Sequence, residues 1–85
     1  MRYRRIRDLR EDHDLTQAKA AAAIGIGQRA YSYYESGERM LPPEILRALA
    51  QFYGVSTDYL LGLTDIKRPY PPARQLPQLL DQEVP

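Results

Sequence analysis

The chain has 85 residues, a formal net charge of +1, no cysteine and one histidine. This length suits one small domain, or one domain and a tail; the missing thiols exclude disulfides, thiolate zinc sites and a cysteine nucleophile, and His13 alone cannot build a histidine metal cage. No apolar run nears a membrane span and no signal-peptide core follows Met1, so the expected setting is cytoplasmic, with no membrane partner.

Charge is unevenly spread. Residues 1–40 carry a net +2 and residues 41–85 a net −1, with Arg2, Arg4, Arg5 and Arg7 crowded at the start. The summed field is weak, so any contact with nucleic acid must rest on a local patch. A first helix is predicted over about Arg2–His13, with Ile6 and Leu9 inward and the other positions a charged surface. Asp14-Leu15-Thr16 interrupts it, and Thr16 is a good N-cap for a second helix over Gln17–Ile24. Ala20–Ala23 has high helix propensity and little volume. Ile24 and Ile26 flank a turn at Gly25 and are expected in the core. A third helix is predicted from Gly27-Gln28 to about Ser36, with Gly37 at the position that ends it.

Met40-Leu41-Pro42-Pro43 is a short connection. Pro43 suits the first position of a fourth helix over about Pro43–Tyr53, whose Ile45, Leu46, Leu49 and Tyr53 recur at one-turn spacing. Gly54 stops it and Val55 plugs the turn. Ser56 caps a fifth helix, Thr57–Leu61, with Asp58 near its positive end, and Gly62 ends it. The tyrosines Tyr31, Tyr34, Tyr53 and Tyr59 stand at helical spacing and read as core. Residues 1–65 therefore form a compact all-α domain of five helices. Residues 66–85 read as a Pro-rich linker, with Pro69, Pro71 and Pro72, and then a short amphipathic tail. There Leu76, Leu79 and Leu80 suit a helical turn that folds back, meets a partner chain, or frays.

The most informative spacing lies within Leu15–Glu35. Gln17, Ala21, Gly25, Tyr31 and Tyr34 follow the order that two short helices need where they cross at a tight turn. Ala21 is small at the crossing, Gly25 tolerates positive φ in the turn, and the tyrosines press inward from the second helix. That arrangement leaves one face of the third helix free to enter a DNA major groove.

The strings Leu15-Thr16-Gln17, Gly25-Ile26-Gly27-Gln28, Tyr34-Glu35-Ser36-Gly37-Glu38-Arg39 and Gly54-Val55-Ser56-Thr57-Asp58-Tyr59-Leu60-Leu61-Gly62 run in order along the chain. Over about Ile6–Gly62 they resemble the lambda-repressor-like family of helix-turn-helix DNA-binding domains, also called the Cro/phage-repressor or Xre family. Three departures stand out. Tyr33 occupies a position that is more often polar and aliphatic-stemmed. Ala20 replaces a larger aliphatic residue, so the second helix is expected to pack lightly, and Gly27 replaces the usual Ser or Thr cap.

The resemblance implies that Gln17 donates to a DNA phosphate and that Arg10 and Glu35 form an ion pair tying the first helix to the end of the third. It also implies that Arg39 reaches a backbone phosphate or the minor groove; a solvated loop charge is the competing reading. At the start of the third helix, glutamine can pair with adenine N6 and N7 and arginine with guanine O6 and N7, which makes Gln28 and Arg29 the candidate base readers. Ser32 and Tyr33 lie one turn later, where Tyr33 can meet a thymine methyl with its ring or a phosphate with its hydroxyl. Lys19 and Arg2–Arg7 are candidates for further phosphate contacts, with a solvated face the preferred reading for Arg2–Arg7, and His13 is assigned to a helix end.

Taken together, the expected function is a sequence-specific, double-stranded DNA-binding transcriptional regulator that binds an inverted-repeat operator as a homodimer. No cofactor, metal site or enzymatic chemistry is expected. Alternatives on the same fold are an antitoxin-type or restriction-modification controller regulator, and a module that binds a protein partner through the third helix.

Overall fold

The structure is a computed structural model, and it describes residues 3–71. Among these residues there are five helices and no strand: α1 (Arg4–Asp12), α2 (Gln17–Ala23), α3 (Gln28–Ser36), α4 (Pro43–Tyr53) and α5 (Thr57–Leu60). The all-α five-helix expectation is met. The amphipathic tail expected at Leu76–Leu80 lies outside the described residues, as does Pro72.

Helix ends follow from short-range chemistry. Asp14 adopts φ 56°, and beyond it the Leu15 N–H donates to Arg10 O at 3.0 Å, closing α1 one residue earlier than expected. Aspartate is among the few side chains that tolerate this conformation. Thr16 Oγ1 accepts from the Lys19 N–H at 3.1 Å, the N-cap bond anticipated for α2. Ile24 caps α2 rather than extending it. At the turn, Gly25 takes φ 76°, its N–H donates to Ala22 O and the Ile26 N–H donates to Ala21 O. This paired closure needs a left-handed residue, and glycine occupies it without a Cβ penalty. Gly27 begins α3 with no side-chain cap. Ser56 caps α5 by accepting from the Tyr59 N–H at 3.0 Å, and α5 ends at Leu60, not Leu61.

The core is built from Ile6 and Leu9 of α1, Ala20 and Ala21 of α2, Tyr31 of α3, Leu49, Ala50 and Tyr53 of α4, with Val55 and Leu60. Leu15, Ile24, Ile26, Ile45, Leu46 and Tyr59 are half-buried and pack against it. Ala20 and Ala21 are fully enclosed, so the small residues lie where α2 meets α3. Tyr34 departs from expectation: it is only half-buried and does not join the core. The inward pair on α3 is instead Tyr31 and Glu35, four apart, because the ion pair described below turns that stripe toward α1.

Arg5 departs from the solvated face expected of the first arginines, on which Arg4 and Arg7 remain exposed. Its guanidinium lies 4.1 Å from the Tyr59 ring centroid and donates to Tyr59 O at 3.0 Å, to Thr64 O, and to Asp65 Oδ1 at 2.6 Å. Beyond α5 the chain turns back over the α5 cap, where the Ser56 N–H donates to Lys67 O at 2.8 Å and Ser56 Oγ to Ile66 O at 3.3 Å. One side chain thus pins the start of the domain to its last helix and to the strand of chain that follows. Arg5→Lys keeps the charge but cannot serve several carbonyls in one plane. It is expected to lower unfolding stability by about 1–2 kcal/mol in urea titration, whereas Arg4→Lys, at an exposed position, should leave the midpoint unchanged.

Candidate nucleic-acid interface

The site is organised by Arg10 and Glu35. Arg10 Nε donates to Glu35 Oε2 and Nη2 to Oε1, both at 2.9 Å, a two-pronged fork joining α1 to the last turn of α3. The third arm, Nη1, donates to Leu15 O at 2.8 Å and braces the α1–α2 turn. Gln17 Nε2 donates to Glu35 Oε1 at 3.3 Å, bringing the first residue of α2 into the same network. Both charged side chains are largely withdrawn from solvent, at 14% exposure for Arg10 and 6% for Glu35. The ion pair expected from the family resemblance is present, and it links three helices rather than two.

The surroundings set the charge state. Burial pushes the Glu35 carboxyl up, but donors from Arg10, Tyr31 and Gln17 and the charge of Arg10 outweigh it, so the group is held below the ordinary carboxylate range. Its hydrogen bonds to Arg10 raise the guanidinium further, so the pair is fully ionised at neutral pH. Burial raises the Tyr31 and Tyr53 phenols. Neither hydroxyl has a partner in full hydrogen-bond geometry among the described residues, although the Tyr31 phenol favours the ionised Glu35 from nearby. His13, at the end of α1, places Nδ1 2.8 Å from Leu9 O and its ring 5.2 Å from that of Tyr53, a structural position.

On the outer side of this network, Gln17, Gln28, Arg29, Ser32 and Tyr33 line one open, shallow depression. Gln28 and Arg29 are exposed, and Ser32 and Tyr33 half-exposed. α3 therefore has two faces: Tyr31 and Glu35 are buried, and four polar or aromatic side chains point away from the core. Arg39 does not project alone from its loop. Its guanidinium stacks over the Tyr33 ring, 4.5 Å from the centroid. Five of the six residues singled out for contact lie in one depression between the start of α2 and α3, and Arg39 joins them through Tyr33.

Arg7 is exposed, as expected of a solvated face. It lines a second polar depression with Arg10, Gln17, Ser32, Glu35 and Ser36, and pairs with Glu11 at 3.3 Å. Arg7 precedes Arg10 by three residues and so shares its helix face. Lys19 is exposed on α2 outside both depressions. Among the described residues, no group of His, Asp and Glu side chains is placed to hold a metal, and no helix is long and apolar enough to cross a membrane.

A short helix crossed by a second whose polar face stands clear of the core defines the helix-turn-helix class of DNA-binding modules. A helix-turn-helix family model matches residues 6–60, and the chain belongs to the lambda-repressor-like (Xre) helix-turn-helix family of transcriptional regulators. It is 39% identical over 82 residues to the uncharacterized HTH-type transcriptional regulator YobD of Bacillus subtilis, covering 96% of this chain and 73% of that protein. It is 45% identical over 51 residues to the cryptic phage CTXphi transcriptional repressor RstR of Vibrio cholerae, covering 60% of this chain and 46% of RstR. Similarity to Antitoxin PezA of Streptococcus pneumoniae is 35% over 57 residues, covering 67% of this chain and 36% of PezA. The chain thus spans about three quarters of YobD and half or less of the other two. No solved structure matches at a comparable level.

Because the Glu35 carboxyl is held low in the folded state, its contribution to stability is complete above the ordinary carboxylate pKa of 4.5 and drains away as pH falls through the lower folded value. Glu35→Gln should flatten that acid limb in pH-dependent denaturation. At pH 7, Glu35→Leu alone is expected to cost about 3 kcal/mol by stranding Arg10, and Arg10→Met with Glu35→Leu to cost clearly less.

Proposed function

We propose that this chain is a sequence-specific regulator of transcription that binds double-stranded DNA with α3 in the major groove and α2 braced on the backbone. The observation that carries this reading is the polar depression formed by Gln17, Gln28, Arg29, Ser32 and Tyr33 on the side of α3 turned from the core. Gln28 and Arg29, at the first turn of α3, are the base readers, with Ser32 one turn on. Gln17 has a second amide hydrogen beyond the one given to Glu35, and this can go to a phosphate. The ion pair beneath acts as scaffold: it fixes the angle between α2 and α3, and hence what the two helices reach together.

A single module of this size reads few base pairs, so useful specificity calls for two copies. The operator is accordingly an inverted repeat with half-sites about 10 bp apart, bound by a homodimer. Repression is the favoured sign of control, since RstR is a repressor by name. A second reading, an antitoxin-type regulator, draws on the similarity to PezA. It adds a toxin as protein partner without replacing DNA, and a toxin gene beside this one would favour it.

Selection from a random duplex library tests the reading. The expected outcome is an enriched inverted repeat. Gln28→Ala and Arg29→Ala should each relax the preference at single positions by about 1–3 kcal/mol, with thermal stability unchanged. No enrichment, together with salt-insensitive behaviour, would instead point to a module that binds protein through α3.

A further inference from the structure

We propose that Tyr33 is a positioning residue for Arg39, and that the stacked pair delivers one fixed cation to a DNA phosphate at the C-terminal end of α3. This rests on the reading of α3 as the recognition helix. It also changes the part given to Tyr33: the ring face is occupied by a guanidinium and does not read a thymine methyl.

Backbone geometry brings the two residues together before their side chains meet. Gly37 takes φ 84° and reverses the chain. The Glu38 N–H then donates to Tyr33 O at 3.0 Å and the Arg39 N–H donates to the same carbonyl at 3.3 Å. Ser36 Oγ donates to it as well, at 3.2 Å, and accepts from the Glu38 N–H at 3.4 Å. Residue 39 is therefore tied to residue 33 through the main chain, and its guanidinium carbon lies 4.5 Å from the phenol centroid.

Chemistry separates this arginine from Arg5, Arg7 and Arg10 of α1, each of which meets a carboxylate. Among the described residues Arg39 has an aromatic ring instead, which orients the guanidinium and leaves its charge whole. A guanidinium held over a ring face still has the N–H donors at its edges, the fork that a phosphate accepts from two at once. Holding the side chain in place beforehand removes part of the ordering cost of binding. Glycine at 37 is required twice, to end α3 and to return residue 39 over residue 33.

The test uses the full chain on the operator selected from the duplex library, with affinity measured across salt concentrations. Arg39→Ala should lower the log–log salt slope by about 0.9, the value for one lost phosphate contact. Tyr33→Leu should lose most of the same slope and Tyr33→Phe recover it. Tyr33→Leu with Arg39→Ala should be no worse than Arg39→Ala alone, with base preference unchanged throughout. Additive losses, or a Tyr33→Leu protein that keeps its salt slope but relaxes at one T·A pair, would overturn the pairing and leave the recognition-helix reading intact. A wild-type chain that selects no site overturns both. In the free protein, NMR should find the Arg39 side-chain protons shifted upfield by the ring, with the shift lost in Tyr33→Leu and kept in Tyr33→Phe. An unchanged shift in Tyr33→Leu refutes positioning without any appeal to DNA.

Discussion

The fork between Arg10 and Glu35 is the contact on which the remaining geometry depends. Two parallel N–H···O bonds at 2.9 Å hold the last turn of α3 against α1. The third arm of the guanidinium holds Leu15 O, and Glu35 Oε1, which accepts from Arg10 Nη2, also accepts from Gln17 Nε2. A planar group with several donors in fixed directions can do this, whereas an ammonium cannot. Removing water from both ions is costly, so the fork is weak as a source of net stability. Its effect is on orientation: with either partner moved, the other is a buried, uncompensated charge. Alternative crossings of α2 and α3 are therefore penalised far more than apolar packing alone would penalise them.

That constraint explains the lightness of the remaining core. Ala20 and Ala21 fill little volume, and the large buried side chains are few, led by Tyr31, Ile6, Leu49 and Leu60. A small domain gains limited apolar burial for its length. Here directional contacts supplement it. Arg5 joins α1 to Tyr59, Thr64 and Asp65, and Ser56 caps α5 while holding the chain that returns over it. Two arginines of one short helix, five residues apart, thus pin opposite ends of the fold, Arg10 at the α2–α3 unit and Arg5 at α5.

The division of α3 into two faces follows from the same pin. With Glu35 drawn inward beside Tyr31, the helix is rotated so that Gln28, Arg29, Ser32 and Tyr33 face outward along one depression. This local concentration of donors answers the low net charge of the chain. The whole-molecule field is feeble, but recognition by direct contact needs only a few well-placed donors at the groove and on flanking phosphates. Three of the α1 arginines meet carboxylates, those of Asp65, Glu11 and Glu35, while Arg29 of α3 and Arg39 of its C-terminal loop stand exposed.

The number and order of the helices, their caps and the turn at Gly25 were legible in the sequence, because each rests on interactions within a few residues: a hydroxyl reaching the N–H three positions on, a residue without Cβ where φ is positive, apolar positions one turn apart. The outward set on α3 was legible in the spacing of its inward residues, whereas the Arg10–Glu35 pair was legible only through the family the motif strings resemble, since its partners are 25 residues apart and no local rule relates them. Three matters were decided by tertiary structure alone. Tyr34 lost its expected core place to Glu35, because i+3 and i+4 both fit an inward stripe and only the docking against α1 selects between them. Arg5 left the solvated face because its acceptors, in α5 and just beyond it, approach only once the chain has closed. Arg39 found Tyr33 because a left-handed glycine reverses the chain, and the direction of that reversal is set by hydrogen bonds to one carbonyl rather than by the identity of either side chain. Local propensity fixes what each segment is; which of several equivalent faces it buries is a property of the assembled helices.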